Sequence, residues 1–328
     1  MLPRYSIAAA LAAAPFLVTA LATPSLAEKK LIASLQGPIE TSYGAAFQEM
    51  DKCLRERTDG EVFVEIYPDR QLGDLTETFE QVREGTVDMA AVAPGMMAEF
   101  MPEIQVFVIP FIFRDFDHWK EIVNGEVGDD ISSLTREKLP EIRILGYYGG
   151  SVRQLVTKEP VESIDDVQGL VMRLLPSEVL HTAWSAVGAS PTVMAYGEVY
   201  NGLQLGVIQG LENEPEWIAR MKFYEQAPNI ALTEHEIVTR PFIFSEKTLQ
   251  SLPEEQQQAV LECGKVSAEF EQEMEHGLDQ KYLKELTDEH GVNVTTIDKA
   301  AFAEKISEAM GPFVDEIGLT DLAGRIRQ

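Results

Sequence analysis

The sequence has 328 residues, of which 45% are hydrophobic and 25% charged, enough to bury the core of one large or two medium domains. It carries 27 Lys and Arg against 54 Asp and Glu, a formal net charge of −27, which argues against a nucleic-acid partner because phosphate contacts require clustered basic residues. Such a balance describes a solvated exterior that can still surround a local basic pocket, so it does not identify a cationic ligand.

Residues 1–27 have the three parts of a secretory signal peptide. Arg4 precedes the apolar run IAAALAAAPFLVTALA, and the small residues SLA end at Ala27. We therefore expect cleavage near Ala27, a mature chain that begins at Glu28, and export to the periplasm. A retained N-terminal anchor is the alternative, although the apolar run is short for a membrane-spanning helix.

Apolar strands and amphipathic helices alternate in the first half of the mature chain. The segments LIASLQ, VFVEIY and VDMAAV predict strands, and residues 42–58 and 74–84 predict helices. Asp74 is the expected N-cap of the second helix, and Gly85 is its expected stop. This alternation is typical of a parallel α/β sheet.

Predicted strands and helices also alternate in the second half of the chain. The segments IRILGYY, RQLVTK, GLVMRLL, VIQGLEN and VNVTTI predict strands, and residues 177–187 and 197–206 predict helices. A long helical tract begins at Leu252, and we expect it to be broken once. Two α/β units without a Pro/Gly/Ser-rich linker predict two lobes that face a cleft and a chain that crosses between them more than once.

Cys53 and Cys263 are the only cysteines, and both fall in predicted helices. Two interpretations stay open at this point. They form a disulfide in an oxidising compartment, or they are two buried free thiols, because sequence alone gives no distance between them.

The common enzyme motifs are missing from the sequence, among them G-x-S-x-G, H-E-x-x-H, the P-loop, G-x-G-x-x-G and C-x-x-C. We therefore predict no catalytic residues, no cofactor and no metal ion. His235, in the segment TEHE, is the one histidine flanked closely by carboxylates. It is either a metal ligand or a structural histidine, and a lone histidine in a strand favours the second interpretation.

Three polar residues occupy places where an α/β sheet presents side chains to a cleft. Arg173 stands inside the apolar run GLVMRLLP, Arg153 follows YYGG, and Asn213 ends VIQGLEN. A buried guanidinium needs an anion, and two guanidiniums with an amide suit a carboxylate. The alternative for each arginine is an ion pair with an internal Asp or Glu.

Several ordered segments resemble one family over the chain from about Leu31 onward. They are YPDRQLGDLTETFEQVREGTVDMA, IPFIFRD, VESIDDVQGLVMRL, GASPTVMAYGEVYNGLQLGVIQGLEN and KFYEQAPNIALTEH. Together they are similar to the substrate-binding proteins of tripartite ATP-independent periplasmic (TRAP) transporters, of the DctP type. The densest block of similarity runs from Gly188 to Asn213.

The resemblance implies a two-lobed periplasmic-binding-protein-like α/β fold, with hinge strands and a long helix crossing both lobes. We expect lobe I to hold residues 28–150 with about 240–280, and lobe II to hold 151–239 with about 281–328. The family captures an organic acid and delivers it, chemically unchanged, to a TRAP membrane permease. The expected partners are therefore a small carboxylate ligand and the permease subunits, with a monomeric protein and no nucleic acid.

Two other functions remain as alternatives. A sensory binding protein would present the same carboxylate to a membrane receptor, and an enzyme would act on carboxylic acids. The absent nucleophile and metal motifs disfavour the enzyme.

The resemblance also implies which residues bind the ligand. Arg173 in the G-x-x-x-R strand matches the family's main partner of the substrate carboxylate, Arg153 and Asn213 match supporting residues, and Tyr196 matches a wall of the pocket.

This chain departs from the family after Asn213. It has QGLENEPEW where the commoner form is DGQENP, and Trp217 in this segment is either an apolar wall or a core residue. We expect the choice among organic acids to depend on the rest of the pocket, including the loops near Glu40 and Ala93.

Overall fold

The computed structural model describes residues 28–328, so the predicted signal peptide lies outside the described residues. The strands are β1 (Lys29–Ser34), β2 (Val62–Tyr67), β3 (Met89–Ala91), β4 (Ile142–Thr157), β5 (Val171–Leu174), β6 (Ser190–Val193), β7 (Gly210–Asn213), β8 (Asn229–Ser245) and β9 (Asn293–Thr296). The α-helices are α1 (Ser42–Arg57), α2 (Leu75–Glu84), α3 (Pro94–Met97), α4 (Phe116–Val123), α5 (Glu126–Lys138), α6 (Glu178–Ala186), α7 (Val199–Leu205), α8 (Pro215–Arg220), α9 (Glu246–Ser251), α10 (Glu254–Asp288), α11 (Lys299–Glu316) and α12 (Thr320–Ile326). Short 3-10 helices cover Pro102–Val108, Ile164–Val167, Tyr196–Glu198 and Phe223–Glu225.

These strands form one mixed sheet in the order β2-β1-β3-β8-β4-β7-β5-β6, with β9 paired to β8. β1 pairs in parallel with β2 and β3, and β5 pairs in parallel with β6 and β7. The long strands β4 and β8 are antiparallel to each other and lie between these two parallel units. The predicted α/β class is confirmed, and two central strands join its two units.

β4 continues through the segments IRILGYY and RQLVTK, which the sequence predicted as two separate strands. That prediction was wrong because Gly149 and Gly150 carry the chain onward with φ of 129° and 110°, a region that glycine adopts freely. The pairing of β4 with β8 shifts its register between Gly149 and Val152, as at a β-bulge. The strand therefore bends at this point without leaving the sheet.

α10 is one uninterrupted helix of 35 residues, about 50 Å long at 1.5 Å per residue. The break expected from the sequence was wrong. Gly264, a weak point of the helix by propensity, packs closely on β4, where a Cβ atom would collide with the side chain of Leu145. Within residues 28–328, no helix is both long and apolar enough to cross a membrane.

The ends of the first two helices follow from their capping residues. The Asp74 side chain accepts hydrogen bonds from the backbone N–H groups of Thr76 and Glu77, and Gly85 ends α2 in the left-handed region, so both predicted ends are confirmed. Thr41 caps α1 by accepting a hydrogen bond from Gly44 N at 3.2 Å. This cap places the first turn of α1 beside the central strands.

The C-terminal helices contact both halves of the chain. α11 packs on α6, and α12 contacts α5, where Arg325 pairs with Asp130 at 2.7 Å. The second contact joins segments assigned above to different lobes. The lobe boundaries given from the sequence stay a prediction.

A disulfide joins Cys53 of α1 to Cys263 of α10, with their Cα atoms 5.6 Å apart. The sequence left two interpretations open, and the structure shows the disulfide. The bond fixes α10 to the first helix of the chain across a sequence separation of 210 residues.

We expect the Cys53→Ser/Cys263→Ser double variant to fold but to be less stable than the wild type. A cross-link between distant residues restricts the unfolded chain, and loss of a native disulfide typically costs about 2–5 kcal/mol. Urea unfolding of both proteins measures this loss. A thiol assay on unreduced, denatured wild-type protein is the control, and two reactive thiols there would contradict the bond.

Candidate functional site

A cavity with about 60 Å³ of space open to the centres of water-sized molecules lies between the two parallel units. Residues at or just past the carboxyl ends of β1, β3, β5 and β7 reach it, which is where α/β sheets bind ligands. Its walls combine apolar and aromatic side chains with a few charged and amide groups, as in small-molecule sites. The lining residues are Ser34, Leu35, Gln36, Tyr43, Phe47, Leu75, Ala91, Arg153, Arg173, Leu175, Tyr196, Asn213, Glu214, Trp217 and Arg240.

Arg173 is buried in β5, with 1% of its surface exposed, yet it lines the cavity. Its Nε donates to the Met194 carbonyl at 3.0 Å, and its guanidinium carbon lies 5.4 Å from the centre of the Tyr196 ring. Among residues 28–328 it forms no ion pair, so the alternative of an internal Asp or Glu partner does not hold for this arginine. Burial lowers the pKa of Arg173 to about 10, and the side chain stays charged at neutral pH.

Tyr196 and Asn213 meet beside Arg173. Asn213 Nδ2 donates to the Tyr196 hydroxyl at 2.9 Å, and both side chains line the cavity. Asn213 comes last in β7, opposite Gln154 of β4, so the sheet fixes its position. The structure thus brings four of the predicted residues, Arg153, Arg173, Tyr196 and Asn213, to one cavity.

Trp217 fills both roles that the sequence left open. It is 5% exposed, lies edge-on to Tyr43 and Tyr196 at ring distances of 5.4 and 5.9 Å, and lines the cavity. The ring also covers Gly37, where a Cβ atom would collide with it. Trp217 is therefore a core residue whose exposed edge forms an aromatic wall.

Glu40 does not reach the cavity. Its side chain is exposed, and its backbone carbonyl accepts a hydrogen bond from Arg220 at 3.0 Å. The chain leaves the cavity after Gln36 and turns toward the start of α1, so Gln36 lines the cavity in its place. The assignment of Glu40 from the sequence is corrected on this geometry.

Arg153 lines the cavity but is already paired with carboxylates. Its Nε donates to the Glu212 carboxylate, Nη2 donates to the Glu212 carbonyl at 2.7 Å, and Nη1 donates to Glu214 Oε2 at 3.0 Å. All three side chains are at most 2% exposed. The ion pair that the sequence left as an alternative is thus present at Arg153, and this arginine is held rigidly in the cavity wall.

Glu214 and Arg240 line the cavity and were missed from the sequence. Arg240 Nη2 lies 3.8 Å from Glu214 Oε1. Arg240 stands in the apolar strand segment VTRPFIF, the same signal that singled out Arg173. Glu214 stands where the family's commoner motif has proline, and that departure was visible in the sequence.

Glu212, His235 and Glu236 are the described residues whose spacing would suit a metal ion. His235 Nδ1 lies 2.8 Å from the Thr233 hydroxyl, and its Nε2 lies 3.7 Å from Glu212. Burial and Arg153 lower the pKa of His235 to about 3, so it is neutral. Arg153 pairs with Glu212 and supplies the positive charge that a metal ion would otherwise bring to this cluster. This favours a structural role for His235.

The comparisons with known proteins agree on one family. The model of the bacterial extracellular solute-binding proteins, family 7 (DctP), matches residues 32–318. The chain belongs to the DctP family. A solute-binding protein of Sulfitobacter sp. NAS-14.1 is 34% identical over 290 residues, which are 88% of each chain. The resemblance seen in the sequence is confirmed.

Solved structures show the same fold. A TRAP periplasmic solute-binding protein from Sulfitobacter sp. NAS-14.1 with bound α-D-taluronate has a TM-score of 0.87 and 33% identity, over 92% of this chain and 98% of that one. Another, from Sulfurospirillum deleyianum with bound succinate, has a TM-score of 0.86 and 28% identity, over 92% of this chain and 99% of that one. The two-lobed fold is confirmed, and this DctP-family protein is a transport binding protein and not an enzyme.

Three carboxyls of α10, two of them buried and one half-buried, face the bulge of β4 in this DctP-family protein. Glu271 Oε2 accepts a hydrogen bond from Gly149 N at 2.6 Å, and Asp279 accepts one from Val152 N at 3.0 Å. Between them lies Glu275, whose two oxygens have no hydrogen-bond partner in the described chain. Burial raises the pKa of Glu271 to about 8 and that of Asp279 to about 7, and burial with neighbouring Glu271 raises the pKa of Glu275 well above its usual range.

We expect the ligand-free protein to lose stability as the pH rises from about 6.5 to about 8.5. A carboxyl whose pKa is raised by folding binds more protons in the folded state than in the unfolded state, so deprotonation favours unfolding. The lowered pKa of His235 makes stability increase with pH, but only below the usual histidine pKa of 6.5. Glu271 and Asp279 together account for about 3 kcal/mol of this loss.

Glu271→Gln should reduce this pH dependence, as measured by urea unfolding at constant ionic strength. Glu273→Gln is the matched control, because Glu273 lies on the same helix with 64% of its side chain exposed. Equal pH dependence in wild type and Glu271→Gln would contradict the assignment to the buried carboxyls.

Proposed function

We propose that this DctP-family protein captures a sugar acid in the periplasm and delivers it to the membrane subunits of a TRAP transporter. It works after removal of a signal peptide near Ala27, as a monomer. The observation that carries the proposal is Arg173, a buried guanidinium that lines the cavity without a carboxylate partner in the described chain.

The ligand's carboxylate binds at Arg173. Nε of this side chain is occupied by the Met194 carbonyl, which leaves the two terminal nitrogens to donate. A guanidinium offers paired N–H groups that match the two oxygens of a carboxylate. Asn213, oriented by the Tyr196 hydroxyl, supports the same end of the ligand.

Hydroxyl groups on the ligand suit the rest of the cavity. Glu214 brings a carboxylate to the wall, and Gln36 Oε1 is a buried acceptor without a hydrogen-bond partner in residues 28–328. Acceptors of this kind favour a ligand with O–H donors, since a buried unpaired acceptor is costly. The bound α-D-taluronate in the Sulfitobacter structure is a sugar acid of this class.

An apolar face of the ligand contacts the aromatic wall. Trp217, Tyr43 and Phe47 line the side of the cavity formed by α1 and α8. The C–H face of a sugar ring packs on aromatic rings while its hydroxyls reach polar groups. Closure of the two lobes over the ligand follows if the ligand binds the closed state more tightly than the open state.

We expect Arg173→Lys to weaken binding of D-galacturonate and D-glucuronate by at least about tenfold. Lysine keeps the charge but loses the planar pair of donors, and truncating one partner of a buried charge pair costs about 2–5 kcal/mol. Calorimetric titration measures the affinity. Arg220→Lys is the matched control, because Arg220 lies on α8 outside the cavity lining.

A melting curve of each ligand-free variant separates binding from stability. Arg173→Lys should melt close to the wild type, since Arg173 has no internal carboxylate to lose in the described chain. A variant that binds acids normally but melts much earlier would show a structural role and contradict the proposal. A thermal-shift screen of wild type against organic acids, in which no acid raises the melting temperature, would contradict it as well.

A further inference from the structure

We propose that Glu214 sets the charge of the accepted ligand, so that the cavity selects sugar acids with one carboxylate and rejects those with two. The inference rests on the function proposed above. Glu214 is the only carboxylate among the fifteen residues that line the cavity, and it is 2% exposed. It follows Asn213 directly in the chain, and both residues line the cavity.

The position of Glu214 is fixed by two arginines. Its Oε2 accepts from Arg153 Nη1 at 3.0 Å, and its Oε1 lies 3.8 Å from Arg240 Nη2. Glu214 directly precedes Pro215, the first residue of α8, and β7 ends at the residue before it. The carboxylate is therefore held by rigid elements and does not swing out of the cavity wall to admit a second anion.

The charged groups that line the cavity can balance the charge of one bound anion. Three guanidiniums, of Arg153, Arg173 and Arg240, line it. Arg153 is paired with both Glu212 and Glu214, and Arg240 faces Glu214. Arg173 alone among the three has no ion-pair partner within the described residues, so a single ligand carboxylate completes the balance.

Glu236 lowers the net positive charge of these groups by less than one charge at neutral pH. It is buried near Glu212, and burial raises its pKa to about 7, so it holds only part of a negative charge. Glu236 pairs with Arg153 across β4 and β8 and does not line the cavity. Three guanidiniums against Glu212 and Glu214 leave one positive charge, and the partial charge of Glu236 lowers this sum further, so the group balances no more than one ligand carboxylate.

A first and a second carboxylate then meet opposite conditions in the cavity. At Arg173 a carboxylate is favoured, whereas a second carboxylate would add like charge beside Glu214, with no unpaired cation among the described lining residues to offset it. A hydroxyl at the same place donates a charge-assisted hydrogen bond to Glu214. Glu214 thus both attracts a hydroxyl and repels a carboxylate, which is how a site discriminates between similar ligands.

The test uses two acids that differ at one end only. D-galactonate and galactarate share their carbon chain, hydroxyls and first carboxylate, but the last carbon is CH₂OH in the first and a carboxylate in the second. Calorimetric titration of the wild-type protein should show at least about tenfold tighter binding of galactonate. D-glucuronate and D-glucarate provide a second such comparison with a ring-forming monoacid.

Glu214→Gln should reduce the preference for the monoacid by about tenfold or more. Glutamine keeps the shape and can still accept a hydroxyl hydrogen bond, but it removes the negative charge. Glu216→Gln is the matched control, because Glu216 is a buried carboxylate two residues further on that does not line the cavity. The control should keep the wild-type preference.

The inference is overturned if the wild type binds either diacid as tightly as its matched monoacid, a result that needs no variant. It is also overturned if Glu214→Gln, folded by its ligand-free melting curve, keeps the full preference. These failures leave the proposed function standing as long as binding depends on Arg173. If no organic acid binds, or if binding does not depend on Arg173, the proposed function fails and the inference fails with it.

Discussion

A buried guanidinium without an internal partner is the constraint around which the site is organised. Arg173 lies in a strand between two parallel neighbours, and leaving its charge in the interior is costly unless an anion comes to it. The side chain lies at the wall of a cavity, where an anion can reach it. In the proposed function, ligand affinity and the low solvation of Arg173 have the same physical origin.

The other buried charged residues stabilise the part of the cavity wall that contains Arg173. Glu212 and Glu214, at the end of β7 and just past it, both pair with Arg153 of β4, and Glu214 also faces Arg240 of β8. These contacts join a parallel unit to the central strands that connect both units. The polar network therefore fixes the geometry of the cavity wall and lies where this parallel unit meets the two central strands.

The sequence revealed those parts of the site that a local pattern encodes. Arg173 was found because a charge interrupts an apolar strand, and the helix ends at Asp74 and Gly85 were found because capping has a short-range signature. The double ion pair of Arg153 depends on residues some sixty positions away, so no local pattern could separate it from a free guanidinium. The path of the chain after Gln36 and the glycine bulge of β4 depend on packing between distant segments, which is why Glu40 was misplaced and β4 was divided in two.

The order of elements along the chain has a consequence for how the protein is made. β3, near the start, finds its second neighbour in β8, and α1 is covalently joined to α10, so the N-terminal unit is completed by segments from the last third of the chain. Contacts of such large sequence separation form slowly because the loop between them must close first. Until β8 arrives, the early strands carry an open sheet edge and an uncovered apolar face. A chain that ends before β8 would keep this edge and this apolar face exposed, which favours aggregation over an independently folded N-terminal unit.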